Sequence, residues 1–144
     1  MKILPTALWL VALTLCSCTE YPYKGAYRLS ESYPSAKSKI DRYYGQQKKS
    51  FNFFLHDQVT PSVQEISPGK KTSYSLSKWA PDIGNQLLHE ASLSRTGANS
   101  STFEVGASGS LSWGASTAGR VNEVDEWVMA NLKVRQRDFG EERP

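Results

Sequence analysis

Phe103-Glu-Val-Gly-Ala-Ser-Gly-Ser-Leu-Ser-Trp113 holds a period of two along its whole length. Phe103, Val105, Ala107, Gly109, Leu111 and Trp113 alternate with Glu104, Gly106, Ser108, Ser110 and Ser112, so one face is apolar and the other small and polar. That is the pattern of a half-buried strand. An apolar sheet face must be covered, and helices packed on that side are the ordinary cover. A transmembrane strand of about 9 to 11 residues shows the same alternation, with Phe103 and Trp113 as interfacial aromatics. It would need a return strand, and the following segment, Gly114 to Val121, carries Arg120. The soluble sheet is the preferred reading.

Upstream, residues 35–56 read as a helix. Ile40, Tyr43, Tyr44, Gln47, Phe51, Phe54 and Leu55 share one stripe of a 3.6-residue period, with Lys37, Lys39, Arg42, Lys48 and Lys49 mostly off it. Gly45 costs about 1 kcal/mol relative to Ala, which allows an early stop with 51–55 left as a strand. A short strand is expected around Val63 to Ile66, closed by Ser67-Pro68-Gly69, and another over 72–77. A second helix is predicted from Lys78 to about Leu93, capped by Ser77. Trp79, Ile83, Leu87 and Ala91 form its buried edge, and Pro81 is tolerable in its first turn.

Downstream, Arg95–Ser101 and Gly114–Gly119 read as loops around the long strand. A last helix is predicted from about Glu123 to Val134, with Asn122 as cap and Val121, Val124, Val128 and Leu132 as buried stripe, widened by Trp127. Its acids come first and Lys133, Arg135 and Arg137 last, which complements the helix dipole. Asp138 to Pro144 reads as a charged, frayed tail. The expected fold is α+β, a small mostly antiparallel sheet packed by two or three helices, formed by residues 35–137.

The chain begins MKILPTALWLVALTLCSCTE. A basic start, a short apolar core and a small residue before the cut describe a secretory signal peptide, and residues 3–15 are too few for a spanning helix. The Leu15-Cys16-Ser17-Cys18 ending resembles the lipobox of bacterial lipoproteins, whose peptidases accept Gly, Ala or Ser before the acylated cysteine. Ser17 fits and Leu15 is too bulky, so the resemblance selects Cys18 for lipidation and removes residues 1–17. In that family the acyl chains anchor the protein, and Thr19 rather than Asp after the cysteine implies the outer membrane, facing the periplasm. Multiple acyl chains anchor stably where one holds weakly.

Residues 18–34 then read as an extended tether, rich in Tyr and Pro. Pro22 and Pro34 restrict their predecessors to extended conformations. Tyr21, Tyr23, Tyr27 and Tyr33 either dock a partner, since Tyr offers contact area at low entropy cost, or pack back on their own domain. With Cys18 acylated, no mature thiol is left to pair, and packing alone must hold the fold.

The whole chain has 17 basic and 14 acidic side chains, a net charge of +3. That balance is too small and too dispersed to imply nucleic acid or anionic headgroups as partners. Only His56 and His89 are present, too few for a zinc site, and His89-Glu90 fails the HExxH pattern because position 93 is Leu. No Gly-x-Ser-x-Gly elbow occurs, no phosphate loop follows the glycines, and the carboxylates are scattered. The expectation is a non-enzyme without metal or cofactor.

The stretch from Ser67-Pro-Gly-Lys-Lys-Thr-Ser-Tyr74 through Ile83-Gly-Asn-Gln-Leu-Leu88 resembles small lipoproteins of conjugative type IV secretion. That likeness implies a structural or assembly part of a secretion, pilus or conjugation apparatus, partnered by other envelope proteins or further copies of itself. A lipoprotein that binds a ligand or peptidoglycan is the alternative, and a small hydrolase using His56 or His89 the weakest.

Overall fold

Tyr23–Leu29 forms the first strand (β1) of the computed structural model, which describes residues 21–47, 49–51, 57–81, 84–109 and 116–141. The other elements are α1 (Tyr33–Gln46), β2 (Lys49–Phe51), β3 (Asp57–Ser67), β4 (Lys71–Ala80), β5 (Gly84–Gly97), β6 (Ser100–Ala107), α2 (Thr117–Asn131) and β7 (Val134–Glu141). All the strands join one sheet in the order β2-β3-β4-β5-β6-β1-β7, and every neighbouring pair is antiparallel. β2 to β6 are a meander, as short connections favour. α1 carries the chain from β1 to the far edge, and α2 carries it from β6 across β1 to β7.

Directly opposed residues share a face, so the register sorts the side chains. Tyr27 opposes Phe103, Phe103 opposes Leu93, and Leu93 opposes Thr72. This row is buried against the helices, from which Ile40, Tyr44, Val121, Val124 and Val128 enter the same core. Fully burying such a side chain contributes about 1.5 to 3 kcal/mol. The opposite face carries Ser73, Ser92, Glu104 and Ala26 in the corresponding row, and neither described helix lies over it.

The α+β class is present, and the apolar positions Phe103, Val105 and Ala107 are buried as the alternation predicted. The strand is shorter than expected: β6 ends at Ala107, and 110–115 lie outside the described residues. Several expectations are corrected. The predicted helix over 78–93 is the end of β4, a turn and β5. There His89, Ala91 and Leu93 face inward and alternate with Glu90 and Ser92. The helix expected over 35–56 begins at Tyr33 and stops at Gln46, just past Gly45, and β2 follows. The expected short strand is the longer β3, and Arg95–Ser101 is mostly strand around a tight turn.

α2 starts six residues before the expected position. Its N-cap is Ser116, whose hydroxyl accepts from the Gly119 amide at 2.9 Å, and Asn122 lies inside the helix. The tether and the tail are corrected too. From Tyr23 the supposed tether is β1, paired on both sides between β6 and β7, and then α1, with Pro34 in its first turn where a missing amide costs nothing. Residues 138–141 belong to β7 rather than to a frayed end. The domain therefore spans at least Tyr23 to Glu141, not 35–137. No described helix is long and apolar enough to cross a membrane.

Candidate functional site: the open face of the sheet

On the covered face, buried polar side chains hold the helices to the sheet. The Tyr27 hydroxyl donates to Asp125 Oδ1 at 2.7 Å, and Arg137 donates to the same carboxylate through Nε at 2.8 Å and Nη2 at 2.6 Å. This ties β1, α2 and β7 together at one residue. Burial, then the Asp125 carboxylate, push the Tyr27 hydroxyl far above the usual tyrosine range. Gly25 makes the contact possible. A Cβ there would come within 2.5 Å of the Tyr27 hydroxyl, so only glycine lets the ring fold back along β1.

α1 is attached in the same way. Tyr33 and Thr72 hydroxyls are 2.5 Å apart, Tyr74 donates to Asp41 at 2.8 Å, and the Tyr44 hydroxyl lies 2.9 Å from His89 Nε2. Burial first, then the Arg120 charge, depress the His89 ring to about 4, so it is neutral at pH 7. Arg120 donates through Nη1 to the Leu88 carbonyl at 3.1 Å and through Nη2 to the Gly109 carbonyl, fastening α2 across the ends of β5 and β6. Burial of Glu31 works to raise its pKa. Lys39, Ser35 and the Lys133 amide outweigh that and hold it below the usual carboxylate value. The Lys39–Glu31 ion pair spans 2.6 Å.

The tyrosines expected as a docking set are thus divided. Tyr27 and Tyr33 are core residues, 0% and 2% exposed, which corrects their reading as partner contacts. Tyr23 is half-buried, its ring 5.0 Å edge-on from Phe139. Tyr21 remains 43% exposed. Cys18 and His56 lie outside the described residues. His89 is inside the core rather than on a helix surface, where no substrate reaches it. Among the described residues, no three His, Cys, Asp or Glu side chains gather where a metal could sit.

What is accessible is the helix-free face. A shallow groove of about 530 Å³ crosses it, walled by Lys24, Glu90 and Glu104 and floored by Ala26, Ser73, Ser92 and Gly106. That volume lies within the usual range for ligand sites, but the groove is shallow and open where such sites are enclosed. Register places the charges: Glu90 and Lys24 both oppose Gly106, one from each side, and Glu104 opposes Ser92 and Ala26. Gly106 leaves the gap between them, since a Cβ there would sit 3.4 Å from Lys24 Cγ. Glu90 and Glu104 are diagonal neighbours on adjacent strands, roughly 7 Å apart at Cβ. Both are exposed, so neither carboxyl has the apolar enclosure that general-acid chemistry uses.

Sequence reasoning missed this trio. Glu104 was visible on the polar face of its strand, but Glu90 was hidden in the supposed second helix and Lys24 in the supposed tether. The readable signal was Tyr23, Gly25, Tyr27 and Leu29 alternating with Lys24, Ala26 and Arg28. No family model, curated protein or solved structure matches this chain.

Proposed function

We propose that the chain is an outer-membrane lipoprotein, acylated at Cys18 and facing the periplasm. It serves as a non-catalytic structural or assembly part of an envelope machine of the secretion, pilus or conjugation kind. The address rests on the lipobox sequence. The observation that carries the role is the asymmetry of the sheet. One face is covered by helices tied to the sheet through Tyr27–Asp125, Tyr74–Asp41 and Tyr44–His89, while the other is a field of mostly small side chains with exposed charges at its centre. Small side chains lose little entropy when covered, and separated opposite charges fix the register of a partner. Such a face suits docking by another protein.

Two experiments test the reading. Cys18→Ser should abolish palmitate incorporation and membrane retention while Cys16→Ser preserves both; the reverse pattern contradicts the assignment. A tagged full chain drawn from detergent-solubilised envelopes should bring a stoichiometric multiprotein complex, and Gly106→Glu should release it without unfolding the domain. A lone monomer argues against an assembly role. The groove itself favours a second reading, a lipoprotein holding a small polar ligand or peptidoglycan fragment between Lys24, Glu90 and Glu104. Retention of a muropeptide by the monomer, lost in Glu90→Gln, would favour it.

A further inference from the structure

The chain enters the domain at Tyr21, at one end of the sheet. Ser75, Glu90, Gly106 and Lys24 oppose one another in sequence across four strands, which sets a common level. From that level β4 runs on through Trp79 to Ala80 and β5 returns from Gly84, so the two paired strands project roughly 17 Å further at about 3.3 Å per residue. Lys24 leads back to Tyr21 in the same direction, because β1 is antiparallel to β6 and β6 runs with β4. Tyr21 is 43%, Trp79 41% and Leu87 43% exposed. Trp79 and Leu87 are diagonal neighbours on the helix-free side of the hairpin, opposing Asn85 and Ser77.

Other large exposed apolar side chains, Val63, Ile66 and Met129, lie toward the opposite end, near the β3–β4 turn and the last turns of α2. They are aliphatic. Both exposed large aromatics among the described residues are at the Tyr21 end, and Trp and Tyr are the side chains that settle at a membrane–water interface. Cys18 is three residue steps from Tyr21, and an extended chain covers at most about 3.6 Å per residue, so Cys18 lies within about 11 Å of it. Once acylated, Cys18 brings that end to the bilayer.

We infer that the Tyr21–Trp79–Leu87 end of the domain rests in the headgroup region of the anchoring membrane. The lipid anchor and these side chains together hold the sheet upright, its helix-free face directed sideways toward partners. This rests on the Cys18 lipidation reading, and the test separates the two. The acylated full chain is purified from envelopes and reconstituted in phosphatidylethanolamine–phosphatidylglycerol vesicles whose acyl chains are brominated near the headgroup. Mass spectrometry of that preparation reports the Cys18 acyl groups. With Trp113→Phe and Trp127→Phe, Trp79 is the remaining mature tryptophan, and its emission should be quenched. A tryptophan moved to the far end, Ile66→Trp with Trp79→Phe, should keep its emission.

If the substituted background does not fold, a nitroxide on Leu87→Cys in the otherwise native chain reports the same contact. It should relax more with oxygen than with a water-soluble nickel chelate. Acylated protein with unquenched Trp79, or equal quenching at both ends, overturns the inference and leaves the lipoprotein reading standing. Unacylated Cys18 overturns both. Trp79 emission that ignores bromolipid yet shifts with peptidoglycan fragments assigns this end to a glycan and overturns the membrane contact.

Discussion

Tyr27 is the residue on which the covered face turns. Its ring lies over Gly25, and its hydroxyl ends on Asp125. Gly25→Ala should therefore destabilise the domain by about 2 kcal/mol, as overpacking of a tight site does. In a Tyr27→Phe background the same change should cost less, because the closest clash is with the hydroxyl; a thermal-denaturation double-mutant cycle reads the difference. His89 gives a pH signature. Its ring is held near 4 in the fold against an ordinary 6.5, so the unfolded chain binds the extra proton between those values. Stability should fall as pH drops from about 6.5 to about 4, by up to about 3 kcal/mol, and level off below. His89→Gln should flatten that slope in urea titrations at each pH. Tyrosine is also where sequence reading was hardest: in residues 21–33 it left docking and packing back on the domain equally open, and two of the four tyrosines are core.

At the scale of elements, the helix predicted over 78–93 shows how a fold signal is lost. Trp79 and Leu87 face outward, whereas His89, Ala91 and Leu93 face inward, and the register shifts opposite Leu76 and Ser77. The bulge at Leu88 switches faces, so no unbroken alternation survives, and apolar residues four apart imitate a helical stripe. Where alternation runs unbroken, as in Phe103 to Ala107 and Thr72 to Leu76, the strand was legible. The buried stripe of α2 was legible too, but not its start. Ser116 lay in a Gly-rich segment that looked like loop, while Asn122 offered a plausible cap. Ser116→Ala should cost about 1 kcal/mol and Asn122→Ala only a few tenths, measured by chemical denaturation. Asp125→Ala should cost about 1 to 3 kcal/mol through the orphaned Tyr27 hydroxyl, whereas Asp125→Asn, which still accepts from it, should cost less.

Over the whole molecule, the two crossover helices lie on one side, and that decides what the protein can offer. The covered side is committed to cohesion, which leaves the Ser-rich side, the groove between Lys24, Glu90 and Glu104, and the sheet edges as the surfaces the proposed partner would meet. The α+β class followed from one alternating strand that needed cover. The groove did not, because its charges come from three strands that meet only through the register, and local periodicity does not report which strands pair. If Cys18 carries the anchor as proposed, the correction to β1 leaves only residues 19–22 between it and the folded domain, a shorter link than a tether over 18–34. The central claim is that the helix-free face meets a protein partner. The most direct measurement is photo-crosslinking in living cells with benzoylphenylalanine placed at Ser92, and at Glu123 on the exposed side of α2 as reference. The account predicts a discrete crosslinked band at Ser92, absent at Glu123 and lost with Gly106→Glu. Crosslinks at Glu123 alone, or at neither position, would contradict it.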